Sequence, residues 1–68
     1  MSFVLSFDLP RNMGVVRSRV IRKLHKVNAK RIHDSLWSCN DLDMLIQIAT
    51  IIKNFGGSAS ILEEKFVF

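Results

Sequence analysis

Phe3, Leu5 and Phe7 alternate with Ser2, Val4, Ser6 and Asp8, the period-two pattern of a strand with one face toward a core. Val4, Ser6 and Asp8 then share the other face. Pro10 and Gly14 interrupt the pattern and bracket a short loop. From about Val15 to Asn28 the period lengthens. Val16, Val20, Leu24 and Val27 fall on one helical face, while Arg19, Arg22, Lys23, Lys26 and Lys30 recur on another. Asn28 suits a left-handed position at the end of that helix, because Asn tolerates positive φ. Lys30 to Cys39 reads as a strand carrying Ile32, a turn at Asp34-Ser35, and a strand carrying Leu36 and Trp37. Asn40 is the expected N-cap of a second helix, with Asp41 and Asp43 in its first turn beside the positive end of the dipole. Its apolar stripe runs through Leu45, Ile48, Ala49, Ile52 and Phe55, widened by Met44 and Ile51; Asp43, Gln47, Thr50 and Asn54 face water. Gly56-Gly57 ends it, and Ile61 to Phe68 reads as a last strand with Phe66 and Phe68 on one face.

The order is therefore β-α-β-β-α-β. Two right-handed βαβ units sharing one sheet make an α+β, ferredoxin-like fold: an antiparallel four-stranded sheet with both helices on one face. At 68 residues, positions 1–68 form a single domain, and a chain of this size buries only about 60% of its unfolded surface. Yet 49% of the residues are hydrophobic, and the sheet face without helices needs cover. A homodimer is the expected way to supply it.

Cys39 is the one cysteine, so no internal disulfide forms, and one Cys with two His does not make a zinc-finger cluster. The opening MSFVLSFD lacks the basic and long apolar regions of a signal peptide. The uncharged run from Met44 to Ile52 is too short to span a bilayer. A cytoplasmic protein without membrane partners is expected.

Charge changes the picture more than composition does. The net charge is +4, but Arg11, Arg17, Arg19, Arg22, Lys23, Lys26, Lys30 and Arg31 follow one another with no acid among them. Asp34, Asp41, Asp43, Glu63 and Glu64 come later, against Lys53 and Lys65. Such a split points to a polyanion partner, with a merely solvated helix face as the plainer reading.

Chemistry-bearing residues are few. His33, Asp34 and Ser35 are adjacent in a turn and cannot form a nucleophilic triad. Gly56-Gly57 is a helix stop and no phosphate loop. His25 reads as a surface residue of the basic helix. Asp8 stands apart as the one acid in the first 33 positions, at a strand end beside the loop into the basic helix. Mg²⁺ takes hard oxygen ligands and often only one or two protein carboxylates. A two-fold dimer would bring two Asp8 carboxylates together for a metal that activates water toward a phosphodiester. The plainer role is a strand-end cap, or a partner of Arg11.

The apolar strand ending in Asp8, the basic helix after it, and the stretch Ala29-Lys30-Arg31-Ile32-His33-Asp34-Ser35-Leu36-Trp37-Ser38-Cys39 together resemble the small CRISPR-associated endoribonuclease family (Cas two). That family typically opens with a strand ending in Tyr-Asp and continues, after its basic helix, with Arg-Val-Gln-x-Ser-Val-Phe-Glu-Cys or a close variant. Arg31, Ser35 and Cys39 match directly; Ile32, Leu36 and Trp37 match in type. His33 stands for the usual Gln, and Ser38 for the common Glu. The loop that begins Leu9-Pro10 looks longer than usual and lacks the family's frequent acids. The chain stops at Phe68, where many members continue into an extra segment, so it resembles a short variant.

The resemblance implies a ferredoxin-like homodimer whose open sheet faces meet, with Asp8 as the metal-binding and catalytic aspartate and Mg²⁺ or Mn²⁺ as cofactor. It implies an endonuclease on RNA or DNA in antiviral defence. Arg17, Arg19 and Arg31 would be phosphate contacts, joined by Arg22, Lys23 and Lys26 of the basic stripe, with Ser35 and Trp37 at the site edge or interface. Members also bridge spacer-integrase dimers, a partner less expected for a chain that stops at Phe68. Two alternatives accompany this reading: a non-catalytic nucleic-acid-binding scaffold of the same fold, and a ribonuclease similar to virulence-associated protein D. A third, weaker expectation is a protein-interaction module whose basic face is only solvated.

Overall fold

In a computed structural model, which describes residues 2–64, the elements run β1 (Ser2–Asp8), α1 (Gly14–Lys26), β2 (Lys30–His33), β3 (Leu36–Cys39), α2 (Leu42–Asn54) and β4 (Ser58–Glu64). The sheet order is β2-β3-β1-β4, with every neighbouring pair antiparallel. This is the expected α+β ferredoxin-like arrangement.

β1 is the central strand and pairs on both edges. Leu5 lies opposite Trp37 on β3 and Ile61 on β4, while Phe7 lies opposite Ala59. Leu5, Phe7 and Trp37 are buried on the helix-covered face with Val20 and Leu24 of α1 and Leu45, Ile48 and Ile52 of α2. The period-two and period-3.6 stripes meet there as the sequence pattern requires. On the reverse face β1 presents Ser2, Val4, Ser6 and Asp8, next to Leu36 and Ser38 of β3 and Ser58, Ser60 and Leu62 of β4.

Both helices end in the same backbone device. Asn28 has φ 56°; its N–H donates to the His25 carbonyl at 3.1 Å, and the Ala29 N–H donates to Leu24 at 2.9 Å. Gly56 has φ 86°; its N–H donates to Lys53 at 3.1 Å, and the Gly57 N–H donates to Ile52 at 2.9 Å. These are the paired bonds of a Schellman motif, which satisfies carbonyls a helix end would leave unpaired.

Three boundaries differ from the sequence expectation. The N-cap of α2 is Asp41, whose Oδ1 accepts from the Met44 N–H at 3.1 Å; Asn40 directly follows β3 and does not cap. β4 begins at Ser58 instead of Ile61, because backbone pairing with β1 extends to Asp8–Ser58. Its first inward residue is Ala59, opposite Phe7, too small to announce a strand by hydrophobicity. Phe55 follows α2 and is 43% exposed, because the helix has already ended where the apolar stripe would next turn inward. Phe66 and Phe68 lie outside the described residues. On β2, the extra residue Ile32 falls between the Arg31–Trp37 and His33–Leu36 pairs and is exposed. A bulge of this kind makes an edge strand a poor template for further pairing.

Gly57 carries a tight junction between α2 and the end of β1. A Cβ there would run into the Asp8 carbonyl oxygen and lie 2.7 Å from Ile52 Cγ2, whereas a Cβ at Gly14 meets nothing within 4 Å. Gly57→Ala is expected to destabilise the domain by about 1–3 kcal/mol. That lowers the melting midpoint by about 4–8 °C per kcal/mol in a domain of this size. Gly14→Ala, inside the first turn of α1, is expected to raise stability by about 0.4–1 kcal/mol. Thermal unfolding followed by circular dichroism of the two variants checks both signs.

Candidate nucleic-acid interface

Arg17, Arg19, Arg22, Lys23, Lys26 and Arg31 reach one side of the molecule, because α1 lies on its apolar stripe with Val16, Val20 and Leu24 buried beneath it. Lys30, opposite Ser38, belongs to the reverse sheet face. The basic stripe read from the sequence stays together on one flank of the helix, except for Lys30, which lies on β2. Arg19, Arg22, Lys23 and Lys26 line a groove that Met44 of α2 closes on the far side, with His25 at its margin. The opposite flank, at steps of four, carries Arg17, Ile21 and His25, which face the β2–β3 hairpin across a second groove of about 440 Å³ completed by Arg31, Asp34 and Trp37.

The hairpin groove has a defined architecture. Arg31 pairs in register with Trp37, which places it on the helix side of the sheet and within reach of the α1 flank. Trp37 is only 2% exposed. Its Nε1–H donates to the Asp34 carbonyl at 3.2 Å, and the His25 ring meets it edge-on at 5.5 Å between centroids. The indole is a wall of the core, and a base cannot stack on its face without unfolding the hairpin. Arg17 lies over the Phe7 ring, its guanidinium carbon 5.8 Å from the centroid, which orients the side chain along the groove. Ser35 sits in the hairpin turn, where its carbonyl accepts from the Phe7 N–H at 3.0 Å.

Among the described residues, the ion pair formed is Arg31–Asp34, across the hairpin turn. The Arg31 guanidinium, by hydrogen bond and by charge, holds the Asp34 carboxyl below its ordinary value, with His33 and Arg17 adding smaller pulls in the same direction. Both side chains are more than half exposed, so water screens the pair. The sequence placed Arg31 among phosphate contacts but gave Asp34 only a turn role. The (i, i+3) spacing of opposite charges around the turn was the available signal.

Asp8 is elsewhere. It is exposed at the last position of β1, opposite Ser58, on the sheet face away from α1. Neither Arg11 nor any other cation of the described residues forms an ion pair with it. Among the described residues, no group of three or more His, Cys, Asp or Glu side chains gathers in a way that could hold a metal ion. Mg²⁺ usually takes one or two protein carboxylates, and two Asp8 carboxylates from a two-fold pair would match that number. The open face around Asp8 carries an apolar centre, with Val4 opposite Leu62, Leu36 half-buried nearby and Leu62 itself 64% exposed. Polar groups surround it: Ser2 and Ser38 hydroxyls 3.1 Å apart, and Ser38 donating to Glu64 at 3.4 Å. No described helix is long and apolar enough to cross a membrane.

No protein-family model matches the chain, and no curated protein matches it.

The Asp34 pull has a testable sign. A carboxyl whose folded pKa lies below its ordinary value of 3.8 stabilises the fold above that value, and the contribution is lost as pH falls through the lowered folded pKa. Arg31→Met should move the Asp34 titration, followed by carboxyl carbon NMR, back up toward the ordinary value. An unmoved titration would show that Arg31 is not what holds it.

Proposed function

We propose that the protein is a nucleic-acid-binding homodimer that acts as a metal-dependent endonuclease of the CRISPR-associated kind it resembles. The observation that carries the reading is the α1 side of the molecule. Arg17, Arg19, Arg22, Lys23, Lys26 and Arg31 line two neighbouring grooves there, and Asp34 is the one acid lining them. Uncompensated cations along a helix are suited to successive phosphates and contribute sequence-independent, salt-sensitive affinity.

The open sheet face supports the dimer. Leu62, Val4 and Leu36 leave an apolar centre uncovered, and a second sheet packed against it would bury that centre on both copies. Asp8 lies on this same face, so a two-fold pairing is also what would unite two carboxylates. Mg²⁺ or Mn²⁺ held by the pair would polarise a phosphoryl oxygen and lower the pKa of a bound water. The protein's own part is to present the Asp8 oxygens at a strand end whose backbone is fixed by the Gly57 junction. RNA and DNA remain joint candidates as substrate, and the cytoplasm is the proposed location.

One observation favours a second reading. Asp8 and the α1 cations occupy opposite faces of the sheet, so phosphates gripped by α1 do not lie over the carboxylate of the same chain. A scaffold that binds nucleic acid without cutting it accommodates this directly.

Purified wild type and Asp8→Asn, incubated with labelled single-stranded RNA and duplex DNA in Mg²⁺ and in EDTA, separate the two. Cleavage that disappears with Asp8→Asn and with EDTA supports the nuclease; binding without cleavage supports the scaffold. Binding should weaken with salt at a log–log slope of about −4 to −5 on duplex DNA, and about −3 to −4 on single-stranded RNA, if four to six phosphates are met. Replacing Arg19, Arg22 and Lys26 by Ala should flatten that slope by about 2 to 3 units. Sedimentation should give a dimer at micromolar protein, and Leu62→Glu should convert it to a folded monomer. A wild-type monomer would remove the paired-carboxylate mechanism.

A further inference from the structure

Asp34 is the one acid lining the basic side of α1, and its position is specific. It faces Arg17 and His25 of α1 across the hairpin groove, and its carboxylate is bonded to the Arg31 guanidinium beside it on the hairpin. Its backbone cannot drift away. The Asp34 carbonyl accepts from the buried Trp37 indole at 3.2 Å, and the next carbonyl, of Ser35, accepts from Phe7 of the central strand at 3.0 Å. The turn is tied to the core at two points while the carboxylate itself remains exposed.

A carboxylate and a phosphate present similar paired oxygens to a guanidinium. We propose that Arg17 and Arg31 form a phosphate seat in the hairpin groove, and that Asp34 is a built-in competitor which a nucleic-acid phosphate must displace from Arg31. This rests on the nucleic-acid reading above and adds a regulated subsite to it. The lowered Asp34 titration is what a carboxylate held by these guanidiniums should show. Because the pair is exposed, displacement is cheap, and the effect is a modest threshold on affinity. The side chain needs only to rotate; the turn stays where Trp37 and Phe7 hold it.

The test uses the full chain and a labelled twelve-nucleotide single-stranded RNA at low salt, with anisotropy as the readout. Asp34→Asn keeps the turn chemistry and is expected to tighten binding about three- to tenfold by freeing Arg31 and removing a nearby negative charge. Glu63→Gln removes the same charge on β4, the far edge of the sheet from β2, and should leave affinity unchanged. Equal tightening by both variants would mean net charge alone acts and would overturn the proposal. In an Arg31→Ala background the gain from Asp34→Asn should shrink, because the two residues share one interaction. Trp37, the chain's one tryptophan, gives a second readout: its emission should shift on binding if the groove is occupied. If wild type and Asp34→Asn bind equally while Arg31→Ala weakens binding, the competitor role falls and the nucleic-acid reading stands. If neither wild type nor Asp34→Asn binds this RNA or a labelled duplex DNA of the same length, both fall together.

Discussion

The pleat of β1 is the constraint from which the rest follows. As the central strand it is paired on both edges, so each of its residues faces either the helices or the open side. Leu5 and Phe7 go to the helices and are buried; Ser6 and Asp8 go to the other side and are exposed. A shift of one residue in register would exchange the two sets, burying Asp8 and exposing two core side chains. The hydrophobic demand of Leu5 and Phe7, meeting Trp37 and Ile61 on the neighbouring strands, thus sets where the one early carboxylate can act.

The two faces give the molecule two different surfaces. The helix side presents cations, held up by the buried stripe of α1. The open side presents an apolar centre with serines and Asp8 around it. The proposed affinity for a polyanion and the proposed assembly with a second sheet would therefore be separable, resting on different residues and responding to different conditions. Salt would weaken the first through counterions, while burial of apolar area would drive the second and be far less salt-sensitive.

Within the helix side, the β2–β3 hairpin does more than complete the sheet. Its turn is anchored to β1 by Phe7 and to the core by Trp37, which places Arg31 and Asp34 against the flank of α1. A bulge at Ile32 keeps the edge strand from offering a regular ladder. The hairpin is thereby free to serve as a groove wall instead of a site for strand addition.

The element order, the ferredoxin-like class, the buried stripe of each helix and the left-handed Asn28 were all legible in the residues. Each depends on local periodicity or on a preference of one side chain. The start of β4 was not, since Ala59 and the serines around it carry little hydrophobic signal and their strand state comes from pairing with β1. The Asp41 cap was missed because Asn40 and Asp41 are both good caps, and the end of β3 decides between them. The candidate site divides in the same way. Sequence alone determined that the first half of the chain is basic and that Asp8 ends a strand. Tertiary packing decided that the cations split over two grooves, that Asp34 occupies Arg31, and that Asp8 faces away from α1, because only docking of α1 on the sheet determines which side chains share a surface.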